Sequence, residues 1–224
     1  MAADSPAGTR LLALVAIMDR LRRECPWDAR QTHQSLAPYL LEETYEALAA
    51  LEDGDPAALR EELGDVLLQV LFHARIAAER TDGTGYTIDD VADGIAAKLT
   101  RRHPHVFGTV EVDGAEQVSA NWEAIKAAER AAAGGGPASA IDGVPLGQPA
   151  LSLTAQLVRR AGRAGGPVGL AGPDDEPSGP GAELFALAAR MAQAGLDPEL
   201  ELRAAARAYA DRIRAAEQAA GPAS

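Results

Sequence analysis

The residues best placed to do chemistry are acids in two matched pairs. Glu43 and Glu46 lie in Glu42-Glu43-Thr44-Tyr45-Glu46, and Glu62 and Asp65 in Glu61-Glu62-Leu63-Gly64-Asp65. Residues three apart share one face of a helix. Between the pairs stands Asp53-Gly54-Asp55-Pro56, a turn followed by a helix start with Asp55 as N-cap and Pro56 in the first turn. Two antiparallel helices would then bring Glu43, Glu46, Glu62 and Asp65 to similar height. Left alone, such carboxylates repel one another or take up protons. A divalent cation is the simplest remedy. Hard oxygen donors select Mg, Mn or Ca. The Glu-x-x-His spacing of di-iron bundles is missing, which disfavours a redox iron site. Mg2+ commonly completes its shell with substrate phosphates, so the pattern points to a phosphorylated substrate, with Mn2+ as the alternative ion. Either acidic string alone would read as a solvated helix face; two strings matched across a short turn favour a site. Gly64 costs a helix about 1 kcal/mol relative to Ala, and its place between two acids reads as room for close backbone approach.

The surrounding pattern supplies helices to carry these groups. Apolar residues at helical spacing predict a helix over Thr9–Glu24, ended by Cys25-Pro26-Trp27. Asp28 and Gln31 resemble a capping box over a short turn. Helices are expected over Leu36–Leu51, with Pro38 near the start, over Pro56–Arg80, over Ile88–Arg102 capped by Thr87, and over 116–132. His103-Pro104-His105-Val106-Phe107-Gly108 cannot continue a regular helix. With no run of alternating strand residues, the fold class is all-α.

Lys98 and Lys126 are the lysines of this arginine-rich chain. Lys98 and Arg102 lie one turn apart, as do Trp122 and Lys126, so these groups could neutralise phosphates and stack on a base. Each alone reads as readily as a solvated cation or a packed aromatic. Trp27 is as well explained by packing as by stacking, His33, His103 and His105 belong to loops, and His73 is a packed or solvated helix residue.

The 224 residues carry a formal charge of −12 and a pI near 4.8, which argues against nonspecific nucleic-acid binding. The single cysteine, Cys25, excludes an intrachain disulfide and fits a reducing, cytoplasmic compartment. No apolar run approaches a membrane span, and Leu11–Met18 runs into the charged Asp19–Glu24, unlike a signal peptide. Composition divides the chain into a helical domain over 1–132 that carries the acids, a Gly/Pro-rich linker over 133–150 and a second helical unit over 151–224. That unit reads as a degenerate copy of the first. His73-Ala74-Arg75-Ile76 lies over Ala188-Ala189-Arg190-Met191, while Glu62 and Asp65 fall on Pro177 and Pro180 in a Gly/Pro-rich loop over 171–181.

Cys25-Pro26-Trp27-Asp28, Gln31-Thr32-His33, the two acidic strings, Lys98-Leu99, Arg101-Arg102-His103-Pro104-His105-Val106-Phe107 and Trp122-Glu123 with Lys126 together resemble the MazG family over residues 9–131. Asp142-Gly143-Val144-Pro145 resembles its inter-domain segment. The resemblance implies an all-α nucleoside triphosphate pyrophosphohydrolase that cleaves between the α and β phosphates with Mg2+, cleans the nucleotide pool and works as a homodimer. It carries metal ligation onto Glu43, Glu46, Glu62 and Asp65, with Glu42, Glu61 and Trp27 as accessory groups. Phosphate contact falls on Lys98 and Arg102, and nucleotide contact on Trp122 and Lys126. A lysine found in some relatives is Ala58 here, with Arg60 as its nearest replacement. The alternatives are a related all-α hydrolase acting on another nucleotide, and a non-catalytic module that binds nucleotide and Mg2+.

Overall fold

The computed structural model describes residues 8–132, 139–166 and 179–220. Residues 133–138 of the expected linker and 167–178, with Pro177 and most of the 171–181 loop, lie outside them. The described residues form helices and turns, with no strand among them. The chain divides into two compact units, Met1–Ile125 and Lys126–Ser224.

The first unit is built on a helical hairpin. Helix α1 spans Thr9–Glu24, a short 3-10 turn follows at Asp28–Arg30, and α2 (His33–Asp53) and α3 (Pro56–Ala77) pack along each other. Then come α4 (Ile88–Arg102), α5 (Pro104–Phe107) and the start of α6 (Ala115–Ala132). Helix α2 begins three residues before the expected Leu36. Thr32 and Ser35 cap it reciprocally: Thr32 Oγ1 accepts from the Ser35 amide at 3.1 Å, and Ser35 Oγ from the Thr32 amide at 2.9 Å. This capping box outweighs Pro38, which stands inside the helix rather than in its first turn. Asp28 and Gln31 make no such box.

The turn between α2 and α3 follows from three residues. Gly54 takes a left-handed conformation, φ 66°, that ends α2 at little steric cost. Asp55 Oδ1 accepts from the amides of Ala57 (2.8 Å) and Ala58 (3.2 Å), and Pro56 needs no partner for a missing N–H. Helix α3 stops at Ala77, short of the expected Arg80. The 103–108 segment breaks at His103 as its proline requires, then makes one further turn of helix.

Met18, Leu36, Leu71 and Phe72 form the buried core of this unit, flanked by Leu14, Val15, Leu67, Leu68, Ile76 and Ile88. Arg22 ties α1 to the far end of α3. Its guanidinium side chain is 9% exposed and donates to both carboxylate oxygens of Glu79 at 2.8 Å. It also donates to the carbonyls of Asp28 and of Gln31 (2.9 Å), so one cation fixes the Trp27 loop as well.

The second unit contains the end of α6 together with α7 (Ala150–Arg163), α8 (Pro180–Gln193) and α9 (Pro198–Ala220). Ala155 and Val158 of α7 pack on Ala189 and Ala192 of α8, with Phe185 beside them. Small residues at these positions let the helix backbones approach closely. No described helix is long and apolar enough to cross a membrane.

Candidate metal centre

The hairpin brings acids together as the spacing requires. Glu43 of α2 and Glu62 and Asp65 of α3 each offer a carboxylate oxygen, and these oxygens lie within 4.8 Å of one another. All three side chains are half-buried. Glu46 is exposed and stands outside this trio, although its charge reaches both Glu43 and Glu62. The expected four-acid cluster is thus three acids with a fourth at its edge. Glu46 meets Glu43 through a side-chain hydrogen bond as well as through its charge.

The electrostatics of the trio run against full ionisation. Partial burial, followed by the charges of Asp65 and Glu46, raises Glu43 above its ordinary carboxylate value. Glu62 is raised by loss of solvation, then by Glu46 and Asp65. Repulsion among half-buried hard oxygen donors is what a divalent cation relieves, and an all-carboxylate set suits Mg2+ or Mn2+ better than a softer ion. The residues present fit such an ion. Glu42 and Glu61 are exposed beside the trio's members in sequence. Gly64 does not serve close packing within this chain: a Cβ built there meets nothing within 4 Å.

A second grouping forms where α4, α5 and α6 meet. Arg102 sets its guanidinium carbon 5.8 Å from the Trp122 ring centroid. His103 stands edge-on to Trp122 at 4.8 Å and 88°, and His105 lies 5.6 Å from His103. His103 Nδ1–H donates to the Leu99 carbonyl at 2.7 Å, which leaves Nε2 as the acceptor nitrogen. Lys98 is exposed on α4, and Lys126 is half-buried one turn beyond Trp122 on α6. Trp27 is 47% exposed and packs edge-on against Tyr39 (6.1 Å) and Phe72 (6.3 Å). It therefore combines packing with an open edge.

Sequence reasoning missed Tyr39, which joins Trp27 one turn before Glu43, and the bond between His33 and His73 across the hairpin. The Thr32–Ser35 cap, which makes His33 the first residue of α2, was the one local signal for the latter.

A helical hairpin with acids facing across it is an all-α scaffold suited to a divalent cation, and its likeness to known proteins gives the family. A MazG nucleotide pyrophosphohydrolase domain matches residues 31–107, the span that holds the whole hairpin and the His-Pro-His segment. The chain belongs to the MazG family. It is 50% identical to an uncharacterized 26.1 kDa protein of Streptomyces cacaoi over 94% of this chain and 84% of that one. It is 45% identical to a nucleoside triphosphate pyrophosphohydrolase of Mycobacterium tuberculosis over 97% of this chain, and 43% identical to one of Escherichia coli over 68%. The match spans 61% of the mycobacterial protein and 57% of the E. coli protein.

Proposed function

We propose that this protein hydrolyses nucleoside triphosphates to monophosphate and pyrophosphate with Mg2+, as a cytoplasmic housekeeping enzyme of the nucleotide pool. The observation that carries the reading is the convergence of Glu43, Glu62 and Asp65 from two helices onto one small volume. Relatives named nucleoside triphosphate pyrophosphohydrolase support the substrate class.

In this reading Glu43, Glu62 and Asp65 hold the cation, with Glu46 at its edge. A divalent ion held there offsets triphosphate charge and acidifies water. Glu46 is exposed, carries charge into the site and is the group best placed to take a proton from the attacking water. The water oxygen bonds to the α phosphorus, the bond from that phosphorus to the α–β bridging oxygen breaks, and pyrophosphate leaves with the bond's electron pair. Lys98 and Arg102 offset the charge on the leaving group. Trp122, with Lys126 one turn on, contacts the nucleoside, and Trp27, Glu42 and Glu61 support the site from its margins. No side-chain nucleophile takes part.

A homodimer belongs to the same reading. Helix α4 contains no buried residue, and Val91, Ile95 and Leu99 form an exposed apolar stripe along it. A second copy of this chain would cover that stripe.

Product analysis by chromatography tests the activity. Incubation with canonical and modified nucleoside triphosphates should yield monophosphate and pyrophosphate with Mg2+ and nothing after chelation. Diphosphate and orthophosphate would refute the bond assignment. Binding of nucleotide and Mg2+ without turnover would move the reading to a non-catalytic module.

A further inference from the structure

Beyond the acids, the hairpin holds a second close pairing of titratable groups. His33, the first residue of α2, and His73 of α3 set their Nδ1 atoms 2.7 Å apart, with ring planes within 1°. Both residues are half-buried. The other nitrogen of His73, Nε2, is buried with no hydrogen-bond partner.

Two ring nitrogens this close need one hydrogen between them, so one ring donates and the other accepts. A neutral pair has one further ring hydrogen, on one of the Nε2 atoms. If His73 accepts, that hydrogen sits on its own Nε2, a buried donor with nothing to receive it. If His73 donates, its Nε2 is a bare acceptor and the hydrogen moves to His33. Orphaned buried N–H groups are rarer than under-satisfied acceptors. We infer that His73 donates from Nδ1 to Nδ1 of His33, and that this bridge is a positioning pair that fixes the open end of the α2–α3 hairpin and so the spacing of its acids.

The need for such a pair follows from the hairpin's shape. The Gly54–Asp55 turn closes one end, and the bridge lies at the other. At the helical rise, Asp65 is about 12 Å from His73 along α3, and Glu43 about 15 Å from His33 along α2. The acids between repel one another, and the pair adds a directional bond to the apolar packing of Leu36 on Leu71 and Phe72 that holds this end. Adding one proton while the bridge persists puts hydrogens on both Nε2 atoms, including the buried one. Adding two leaves Nδ1–H facing Nδ1–H and no bridge. In keeping with this, loss of solvation, then the charge of His33, holds His73 below its ordinary value. Charged groups on the other elements packed against α3 are engaged elsewhere. Asp19 and Arg22 of α1 pair with Arg75 and Glu79. Asp90 of α4 accepts from Thr87, and Asp89 lines a cavity with Asp19 and Arg75. On α2 the next acid after His33 is Glu42.

Two measurements on the full chain test the pair, the second of which rests on the cation reading. Long-range 15N–1H correlation of the imidazoles at pH 7.5 should show His73 as the Nδ1–H tautomer and His33 as the Nε2–H tautomer. Two Nε2–H rings would overturn the bridge. Calorimetric Mn2+ titration should show a dissociation constant up to about tenfold weaker for His73→Leu, the ceiling that loss of one hydrogen bond sets. His73→Asn, whose amide mimics the Nδ1–H donor, should stay within about twofold of the native protein. Equal loss in both variants, or in neither, would overturn the positioning role. If native protein bound no Mn2+, the cation reading would fail and positioning with it, while the ring tautomers would still decide the bridge. Should His73→Leu not fold, His73→Asn and the native tautomers decide alone.

Discussion

Glu62, a proposed ligand of the cation, sits where like charges draw on stability. Its carboxylate is half-buried among like charges, and it lies above its ordinary value because solvation is lost and Glu46 and Asp65 are near. An acid raised in the folded state costs stability progressively as the pH rises past its ordinary value, and in full above the raised one. At neutral pH, then, Glu62→Gln should raise the melting temperature of chelator-treated protein. It should also abolish the further rise expected of the native chain with Mg2+, since an ion stabilises only the state that binds it. Paired thermal melts with chelator and with Mg2+ check both halves; a variant still stabilised by Mg2+ to the native extent would remove Glu62 from the site. Gly64, between Glu62 and Asp65, makes a sharper point. No neighbour fills the space a methyl group would take there. Gly64→Ala should therefore stabilise the folded chain by about 1 kcal/mol, the propensity difference within a helix, read from the urea midpoint. Should turnover fall while stability rises, the space beside Gly64 belongs to the substrate.

At the scale of elements, Arg22 holds α1, the Trp27 loop and α3 together. Glu79 lies below its ordinary value of 4.5, first because Arg22 donates hydrogen bonds to it, with the charges of Arg22 and Arg75 adding to this against partial burial. A depressed carboxylate gives stability that is complete above the ordinary value and is lost as the pH falls through the folded one. Glu79→Gln should accordingly melt below the native protein at pH 7, and the difference should close below pH 4.5. Thermal melts over that range test the sign. Arg22→Ala should cost more, about 2–3 kcal/mol, because it also strands two carbonyls and a carboxylate. These links also mark the limit of what could be read in the sequence. Asp53-Gly54-Asp55-Pro56 specifies its own turn through local backbone preferences, and the hairpin followed directly from it. The start of α2 rests on the reciprocal cap of Thr32 and Ser35, a Thr-x-x-Ser pair without the usual Glu or Gln, so the sequence reading sets it at Leu36 beside Pro38. Arg22–Glu79 and His33–His73 join residues 57 and 40 apart in the chain. Such pairings exist only once helices pack, and no local spacing announces them. Glu46 shows the same limit in part: the three-residue rule puts it on the face of Glu43, where it hydrogen-bonds that acid, but which acids share the smallest volume depends on how the helices pack.

For the whole molecule, the open question is what covers α4. A helix with Val91, Ile95 and Leu99 exposed along one line is stable beside a partner and poorly so in water. Its charges indicate which partner. Asp89, Asp90 and Asp93 occupy the first half, Lys98, Arg101 and Arg102 the second. Two such helices laid antiparallel about Ile95 set Val91 near Leu99 of the second copy and run the acidic half of each helix beside the basic half of the other. That is the self-complementary pattern a two-fold dimer requires. Sedimentation equilibrium should therefore find a dimer, and Ile95→Asp should yield a monomer with unchanged helical circular dichroism. Raised salt should weaken the dimer, because the acidic half of each helix runs beside the basic half of the other. A dimer indifferent to salt would exclude the antiparallel arrangement, and a monomeric native protein would leave the stripe to another partner.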